Sequence, residues 1–318
     1  MTRVLVLGGG PDAERKVSLV SAAAVAEALR LVGEFEVVER TIDRVRRDDL
    51  RAMPGDVVFP VLHGAFGEGG PLQELLEADG RPFVGSGSAA SRLAMDKAAT
   101  KAAAVRLGVP TPAFTIFDPR DEGCALPLPV VLKPVHDGSS VGLHLCRDRA
   151  EWHAAHAAAL ADARGNPGRV YMVEQMIHGR ELTVGLLDGA PLPIVEIVPA
   201  DGVYDYEAKY HRDDTRYVVS PALPPGAGEA VQRAAAAVAG ALGVRHMARA
   251  DFILDAAGIP WLLEVNTIPG FTGHSLLPMA ARSAGLEMPA LCARLVALAL
   301  RDARSGAALP RTPGRGLE

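Results

Sequence analysis

Apolar and polar residues follow two rhythms along the first third of the chain. Three short apolar runs predict buried parallel strands, at residues 3–7, 35–40 and 56–64. Segments 17–33 and 70–80 have apolar residues every three to four positions and end in glycine, so each predicts a helix. A further strand is predicted at 82–87. Because strands and helices alternate up to about residue 95, the pattern favours an open parallel sheet with helices on its faces, in a first unit at 1–95.

A second unit is predicted at residues 96–182. Helical spacing over 91–107, followed by Gly108 and Pro110, predicts a single helix at its start. Three strands then surround a glycine-rich loop, with one alanine-rich helix among them, at residues 128–134, 142–146, 170–177 and 149–163.

A third unit, predicted at residues 183–303, is rich in strands separated by glycine or proline. Five strands are predicted, at residues 181–189, 190–199, 215–223, 249–258 and 260–266. The "DAAG" turn predicts a hairpin that joins the last two. Helices are predicted at 229–243 and 289–303, and another follows Ser275, whose hydroxyl we expect to cap it. Residues 304–318 lack periodicity and are expected to be disordered.

Composition narrows the class of protein. The 318 residues suffice for two or three domains, and 49% are hydrophobic, so sizeable cores can form. The net charge of −5 does not indicate a nucleic-acid or membrane-surface partner. Three widely spaced cysteines argue against a disulfide framework or a zinc site. With no signal pattern or long apolar run, we expect a cytoplasmic protein without a membrane span.

The stretch "LKPVHDGSSVG" at 132–142 could bind phosphate. Lys133 ends a strand, and the small residues after it let backbone N–H groups approach phosphate oxygens. A polar hairpin turn with an exposed lysine explains the same residues.

Two acids and an amide lie on the two strands of the predicted hairpin. Glu264 and Asn266 are two residues apart on a strand and share a face, and Asp251 can join them from the partner strand. Carboxylate and amide oxygens suit a hard cation such as Mg²⁺. The alternative is that these side chains face solvent on an exposed side of the sheet.

Two other features have open interpretations. Residues 204–217 are dense in aromatic and charged groups and could form a lid over a site or an ordinary solvated loop. His63 ends a strand, where open parallel sheets bind ligands, but a lone histidine can equally be structural.

Seven stretches in the same order resemble the D-alanine–D-alanine ligases of the ATP-grasp superfamily. They lie at residues 8–19, 63–73, 85–97, 133–142, 204–210, 248–252 and 262–281. The resemblance covers about residues 3–302. It implies a three-domain α/β ATP-grasp fold, with an N-terminal open parallel-sheet domain and with ATP held between the second and third units. The implied reaction joins two D-alanines through an acyl phosphate and releases ADP and phosphate.

The resemblance also implies an ATP site with two Mg²⁺ ions, which Mn²⁺ can replace. Asp251, Glu264 and Asn266 match the metal ligands. Matches to ATP-binding residues are Lys97, Lys133, Ser139, Ser140, Glu174, Gln175, Ile177, Glu181 and Lys209. Glu174 and Glu181 would hold adenine and ribose, and Lys209 would reach the γ-phosphate from the lid.

Roles toward the amino acids follow from the same resemblance. Glu14 would bind the ammonium of the first D-alanine, with His63 nearby. Arg249 and the Gly270 N–H would form an oxyanion hole. The second carboxylate would be held by Arg249, Ser275 and the Leu276 N–H.

Ser139 and Tyr210 would hydrogen-bond with Glu14 and latch the lid. Relatives that make D-alanyl-D-lactate lack this tyrosine, so Tyr210 favours an amine as nucleophile. The family also implies a homodimer. Lys16 and Gly69 stand where relatives often carry an acid, which changes the charge beside Glu14 and the geometry of a loop.

Three alternatives remain open. Residues 8–13 resemble a dinucleotide-binding glycine turn with Glu39 as the ribose acid, although the spacing is longer than the usual fingerprint. The second alternative is a ligase for another dipeptide, such as D-alanyl-D-serine or a natural product. The third is a non-catalytic relative, which we would expect to lack some of the lysine or metal positions.

Overall fold

The first unit contains the predicted parallel sheet. The computed structural model describes residues 1–121, 123–138, 141–199 and 215–305. The elements of the first unit are β1 (Thr2–Gly9), α1 (Arg15–Val32), β2 (Phe35–Ile42), α2 (Arg47–Ala52), β3 (Val57–Pro60), α3 (Gly64–Gly67), α4 (Pro71–Asp79) and α5 (Ser88–Met95). Strand β1 lies between β2 and β3 and pairs with both in parallel, as predicted.

The strand predicted at 82–87 is wrong. Among the residues that the structure describes, a single parallel bridge, between Phe83 and Val58, joins this segment to the sheet. Gly85 then turns the chain at φ 102°, and its N–H donates to Nδ1 of His246 instead of to a neighbouring strand. An apolar run of this length cannot reveal such a turn, because its glycines fit a strand end equally well.

The central unit is an antiparallel sheet with two helices. Its elements are α6 (Lys97–Arg106), β4 (Phe114–Phe117), β5 (Val130–Pro134), β6 (His144–Cys146), α7 (Arg149–Gly165) and β7 (Tyr171–Gln175), and the strand order is β4-β7-β5-β6. The single helix predicted at 91–107 is two helices. Asp96 interrupts it with extended backbone and caps α6 by accepting the Ala99 N–H at 3.0 Å.

The third unit is an antiparallel sheet of order β10-β9-β8-β11-β12. Its elements are β8 (Arg180–Leu187), β9 (Ala190–Val198), β10 (Arg216–Val219), α8 (Ala227–Ala241), β11 (Met247–Leu254), β12 (Pro260–Asn266), α9 (Leu276–Ser283) and α10 (Met288–Arg304). The predicted hairpin between β11 and β12 is confirmed. The three-unit division stays a prediction; the sheets follow it, except that β8 begins at Arg180, before the boundary at 183.

One hydrophobic core joins the first and third units. Leu29 of α1 and Val4 of β1 are buried together with Leu277 of α9 and Leu295 of α10. Phe59 of β3 meets Phe271 edge to face, with 5.7 Å between ring centroids. This core packs α1 against α10, and the Phe271 N–H donates to Oγ of Ser21 at 3.1 Å, so the loop before α9 lies against α1.

The C-terminal tail and the membrane-spanning potential of the helices were both predicted from the sequence. The tail expected to be disordered at 304–318 lies outside the described residues from 306 onward, and α10 continues to Arg304. Within the described ranges no single helix is long and apolar enough to cross a membrane; only the bent pair α9–α10, at 102°, has the length and composition.

Candidate active site

Two cavities meet beside the β11–β12 hairpin. One, of about 370 Å³, lies between the first and third units, and we call it the substrate cavity. The other, of about 510 Å³, lies between the central and third units, and we call it the nucleotide cavity. Residues that line both are Lys97, Asp137, Ile197, Asp251 and Glu264. The two cavities therefore share one border at which groups held in each can react.

The hairpin brings the predicted acids together. Asp251 on β11 pairs in register with Glu264 on β12, and Arg249 pairs with Asn266. Directly opposite residues on antiparallel strands have their Cβ atoms about 5 Å apart on one face. The register shifts after Asp251, where Phe252 pairs with Leu262. This confirms the predicted proximity of the two carboxylates.

Each of these acids faces a cation of the chain. Arg249 grips Asp251 through both oxygens, with Nε–Oδ1 at 2.9 Å and Nη2–Oδ2 at 2.7 Å. The ammonium of Lys97 lies 3.4 Å from a carboxylate oxygen of Glu264. Asn266 accepts the backbone N–H of Ile268 at 2.9 Å. The face of the hairpin is thus a charge-balanced set of oxygens at the border of the cavities.

The nucleotide cavity has a buried ion-pair cluster at its base. Lys133 lies 2.5 Å from Oε1 of Glu174, and Lys101 lies 2.8 Å from Oε2. Burial opposes ionisation of Glu174, but the two ammonium groups outweigh it and hold its pKa below the usual value. Lys101 was not among the predicted site residues; its spacing of four from Lys97 on one helix was the available signal.

Other predicted nucleotide residues line the same cavity. Lys97 is buried at the start of α6 and donates to the carbonyl of Asp137 at 2.6 Å, at the base of the glycine-rich loop. Gln175, Ile177 and Glu181 lie on the cavity wall at the end of β7 and the start of β8. The structure therefore gathers the described nucleotide candidates around one cavity.

Two carboxylates line the substrate cavity from the first unit. Glu14 immediately precedes α1, and its carboxylate would lie 3.2 Å from a Cβ added to Gly138, so the two residues are in close contact. Glu68 follows α3, is buried, and accepts the Gly64 N–H at 3.1 Å. Burial, reinforced by the charge of Glu14, raises the pKa of Glu68 to about 8. Glu68 lies within the stretch 63–73 that carries the family resemblance, although that resemblance assigned it no role.

His63 lies at the start of α3 with its ring buried beside the substrate cavity. Burial lowers its pKa to about 4, and the nearby charge of Arg249 adds to this, although the Ile268 carbonyl accepts a hydrogen bond from the ring. The other nitrogen, Nε2, is buried without a hydrogen-bond partner among the described residues. The neutral imidazole therefore presents one unused polar atom beside the cavity.

The loop after β12 forms the far wall. A Cβ on Gly270 would lie 2.7 Å from Oγ of Ser275. Ser275 precedes α9 as predicted, but its hydroxyl does not cap the helix. It accepts the Thr272 N–H at 2.9 Å because the loop folds back on itself, so the predicted capping bond is wrong.

Of the two departures from related sequences, Lys16 is exposed in the first turn of α1 and lines the substrate cavity. Gly69 is in a closed turn, where an added Cβ would lie 2.4 Å from the Ala65 carbonyl oxygen. Four candidates lie outside the described residues, as does most of the segment interpreted as a lid. They are Ser139, Ser140, Lys209 and Tyr210.

Comparison with known proteins connects this geometry to one family. Residues 116–297 match the family described as "D-ala D-ala ligase C-terminus". The chain is 44% identical over 306 residues to the D-alanine–D-alanine ligase of Bordetella avium, across 93% of this chain and 94% of that one. The chain belongs to the D-alanine–D-alanine ligase family. The ATP-grasp fold and the ligase class expected from the sequence are confirmed, and the dinucleotide-binding oxidoreductase interpretation is wrong.

Solved structures of this family have the same fold. A D-alanine–D-alanine ligase from Bacillus anthracis, solved in complex with ATP, has a TM-score of 0.80 at 28% identity, covering 96% of this chain and all of that one. The VanG D-Ala:D-Ser ligase from Enterococcus faecalis has a TM-score of 0.79 at 27% identity, covering 94% and 99%. The fold is therefore common to ligases whose names differ in the second amino acid.

Proposed function

We propose that this chain joins two D-alanines into D-alanyl-D-alanine at the expense of ATP, for the synthesis of peptidoglycan precursors. The observation that carries the proposal is the shared border of the two cavities, where Lys97, Asp251 and Glu264 face both. A nucleotide in one cavity and an amino acid in the other would bring a phosphate and a carboxylate to that border. Family membership supplies the identity of the amino acids.

In the first step, a carboxylate oxygen of the first D-alanine attacks the γ-phosphorus of ATP. ADP leaves, and D-alanyl phosphate forms. We assign Lys97, Lys133 and Lys209 to the phosphates, together with the loop that contains Ser139 and Ser140, because phosphoryl transfer depends on positioning and charge neutralisation. Glu174 and Glu181 are assigned to adenine and ribose, and the backbone of Gln175 to Ile177 to the adenine slot.

Asp251, Glu264 and Asn266 fit the proposed pair of Mg²⁺ ions by their chemistry. They are oxygen donors on one face of a hairpin, and each carboxylate already faces a positive group of the chain. Bound there, the metal would neutralise charge on the phosphates. With a cation on the two carboxylates, Arg249 and Lys97 would be able to direct their charge toward the reacting groups.

In the second step, the unprotonated amine of the second D-alanine attacks the carbonyl carbon of D-alanyl phosphate. A tetrahedral intermediate forms, the amine nitrogen gives up a proton to the departing phosphate or to solvent, and phosphate leaves as the peptide bond closes. We assign Arg249 and the Gly270 N–H to the oxyanion. Arg249, Ser275 and the Leu276 N–H would hold the second carboxylate at the start of α9.

The first D-alanine is assigned to the acidic side of the substrate cavity. Its ammonium would lie by Glu14, with His63 beside it and with Ser139 and Tyr210 as the latch. Lys16 at the cavity wall adds a positive charge on this side. The unused Nε2 of His63 supports this assignment, because it is a buried polar atom that a substrate group can satisfy.

D-Serine is the second candidate for the second position. The observation that favours it is the similarity to the VanG D-Ala:D-Ser ligase, which has the same fold. D-Serine differs from D-alanine by one hydroxyl, and a cavity rejects an added hydroxyl only weakly. D-Lactate is expected to be a poor second substrate if Tyr210 enforces an amine.

Phosphate release tests the proposal. The chain is incubated with ATP, Mg²⁺ and D-alanine, and the product is identified by mass, with D-serine and D-lactate as alternative second substrates. We expect D-alanyl-D-alanine to be the main product. If phosphate release required a second substrate other than D-alanine, the proposed function would be contradicted. Measurement of mass in solution tests the homodimer, which, like the cytoplasmic location, stays a prediction.

A further inference from the structure

Lys101 is a fully buried cation that the proposed reaction does not use. Its side chain is 0% exposed. Its ammonium donates to Thr111 Oγ1 at 2.9 Å and forms the ion pair with Glu174. Burial lowers its pKa to about 8, although the charge of Glu174 opposes this. A buried lysine is costly, so its presence here needs a physical reason.

Lys101 does not line the nucleotide cavity, whereas both of its neighbours in the cluster do. Glu174 and Lys133 are on the cavity wall. The Glu174 carboxylate separates the two ammonium groups, with Lys133 on Oε1 and Lys101 on Oε2. Among the groups on the cavity wall, Glu174 is therefore the one that Lys101 contacts directly.

The charge of the cluster shows what that effect is. Glu174 and Lys133 alone would form a neutral pair, and the carboxylate would neutralise the positive charge of Lys133. With Lys101 on the opposite oxygen, the three groups carry a net charge of +1 at the base of the cavity. That charge attracts the polyphosphate of a nucleotide, and it acts strongly because the cluster is shielded from water.

A second contact ties Lys101 to the third unit. Thr111, which accepts from the Lys101 ammonium, donates to the carbonyl of Leu262 at 2.8 Å. Leu262 lies on β12, two residues before Glu264. The lysine thus connects α6 and β7 of the central unit with the strand that carries the acid at the border of the cavities.

We propose that Lys101 is a positioning residue of the nucleotide site: it holds the Glu174 carboxylate and neutralises it, so that Lys133 keeps its charge for the nucleotide phosphates. The inference rests on the proposed use of this cavity for ATP. Lys101 would contribute to ATP binding without contacting the nucleotide.

Lys101→Met tests the inference by equilibrium binding of ATP and by steady-state kinetics. We expect the Kd and KM for ATP to rise about tenfold or more, since removal of one partner leaves a buried charge poorly compensated. The KM for D-alanine should stay within about twofold. A loss confined to thermal stability, with the Kd for ATP unchanged, would overturn the proposal.

A double variant distinguishes positioning from general damage. Glu174→Gln leaves Lys101 without its anion, so adding Lys101→Met should change the Kd for ATP by less than about twofold. If the two single effects multiply instead, Lys101 does not act through Glu174. Arg81→Met is the matched control, because Arg81 also forms a largely buried ion pair, with Asp79 in the first unit, away from both cavities.

Thr111→Val covers the case in which Lys101→Met does not fold. It keeps the charge of Lys101 but removes the tie to β12. We expect the Kd for ATP to rise about two- to threefold, and an unchanged Kd would contradict the inference. Because ATP binding is measured without dipeptide formation, a failure of the proposed reaction is distinguishable from a failure of this inference.

Discussion

The two cavities that meet at Glu264 differ in how their buried titratable groups are stabilised. In the nucleotide cavity, the Glu174 carboxylate has a lysine on each oxygen, and its pKa lies below the usual value. In the substrate cavity, burial and the charge of Glu14 raise the pKa of Glu68 to about 8, and burial lowers that of His63 to about 4. Glu174 is thus held charged by its two lysines, whereas burial favours the neutral forms of Glu68 and His63.

The difference corresponds to the charges of the proposed ligands. A nucleotide brings negative charge, so its cavity needs a net positive base that is stable before the nucleotide arrives. D-Alanine brings an ammonium, and a cation in the substrate cavity would favour the charged form of Glu68. Buried titratable groups with shifted pKa values, such as Glu68 and His63, lower the stability of the protein in favour of binding.

The border between the cavities should be most sensitive to change. Glu264→Gln removes the negative charge that serves both cavities and keeps the shape of the side chain. If Glu264 binds a metal that neutralises phosphate charge, kcat should fall about 10²- to 10³-fold, because such stabilisation is worth several kcal/mol. The measurement is phosphate release at saturating ATP and D-alanine.

A matched control keeps this test specific. Glu287→Gln changes an exposed acid that pairs only at the surface with Arg282, at 3.2 Å, and should leave turnover unchanged. Thermal melting of both variants should resemble that of the parent chain. If Glu264→Gln turned over at nearly the parent rate, the assignment of Glu264 as a metal ligand would be contradicted.

The histidine of the substrate cavity should make stability depend on pH. The folded-state pKa of His63, about 4, lies below the usual 6.5, so the unfolded chain binds the extra proton between these values. Stability is therefore complete above pH 6.5 and falls as the pH drops toward 4, by about 3 kcal/mol from this group. His63→Asn should remove that part of the slope in denaturant unfolding measured from pH 7 to pH 4.

An exposed histidine provides the comparison for this measurement. His153 is on the solvent side of α7, and His153→Asn should keep the pH slope of the parent chain. If His63→Asn and His153→Asn have the same slope, the buried ring does not stay neutral, and the contrast between the cavities loses one of its two supports.

Sequence patterns predicted the parts of this site that depend on local spacing. The alternation along residues 249–266, with a hairpin turn, brought Asp251 and Glu264 to one face, and the register confirms it. The parallel sheet of the first unit was predictable because strand and helix periods differ clearly. Family resemblance supplied Glu14 and Arg249, whose roles no local pattern reveals.

Residues that the sequence did not reveal depend on tertiary burial. Lys101 reads as one more polar position on an alanine-rich helix, and only packing against β7 gives it Glu174 as a partner. The break at Asp96 was hidden because helix-forming residues flank it on both sides. Strand β4 is only four residues long and has an exposed residue, Ile116, so its apolar pattern is too short to distinguish from a loop.

Glu68 gives the smallest expected effect and the most direct test of the contrast between the cavities. Its folded-state pKa, about 8, is above the usual 4.5, so the folded chain holds the extra proton between these values. Stability from this group is complete below pH 4.5 and is lost as the pH rises toward 8. Glu68→Gln keeps an oxygen for the Gly64 N–H and carries no charge, so unfolding at pH 8 should require about 1–2 kcal/mol more free energy.

The gain in stability should come with weaker binding of D-alanine if the substrate ammonium is the cation that this acid lacks. The KM for D-alanine should rise for Glu68→Gln while the Kd for ATP stays constant, because Glu68 lies outside the nucleotide cavity. Glu27→Gln, on the exposed face of α1, should change neither quantity. A variant that is no more stable at pH 8 would mean that Glu68 finds its charge compensated within the protein, and the substrate cavity would then be built like its neighbour.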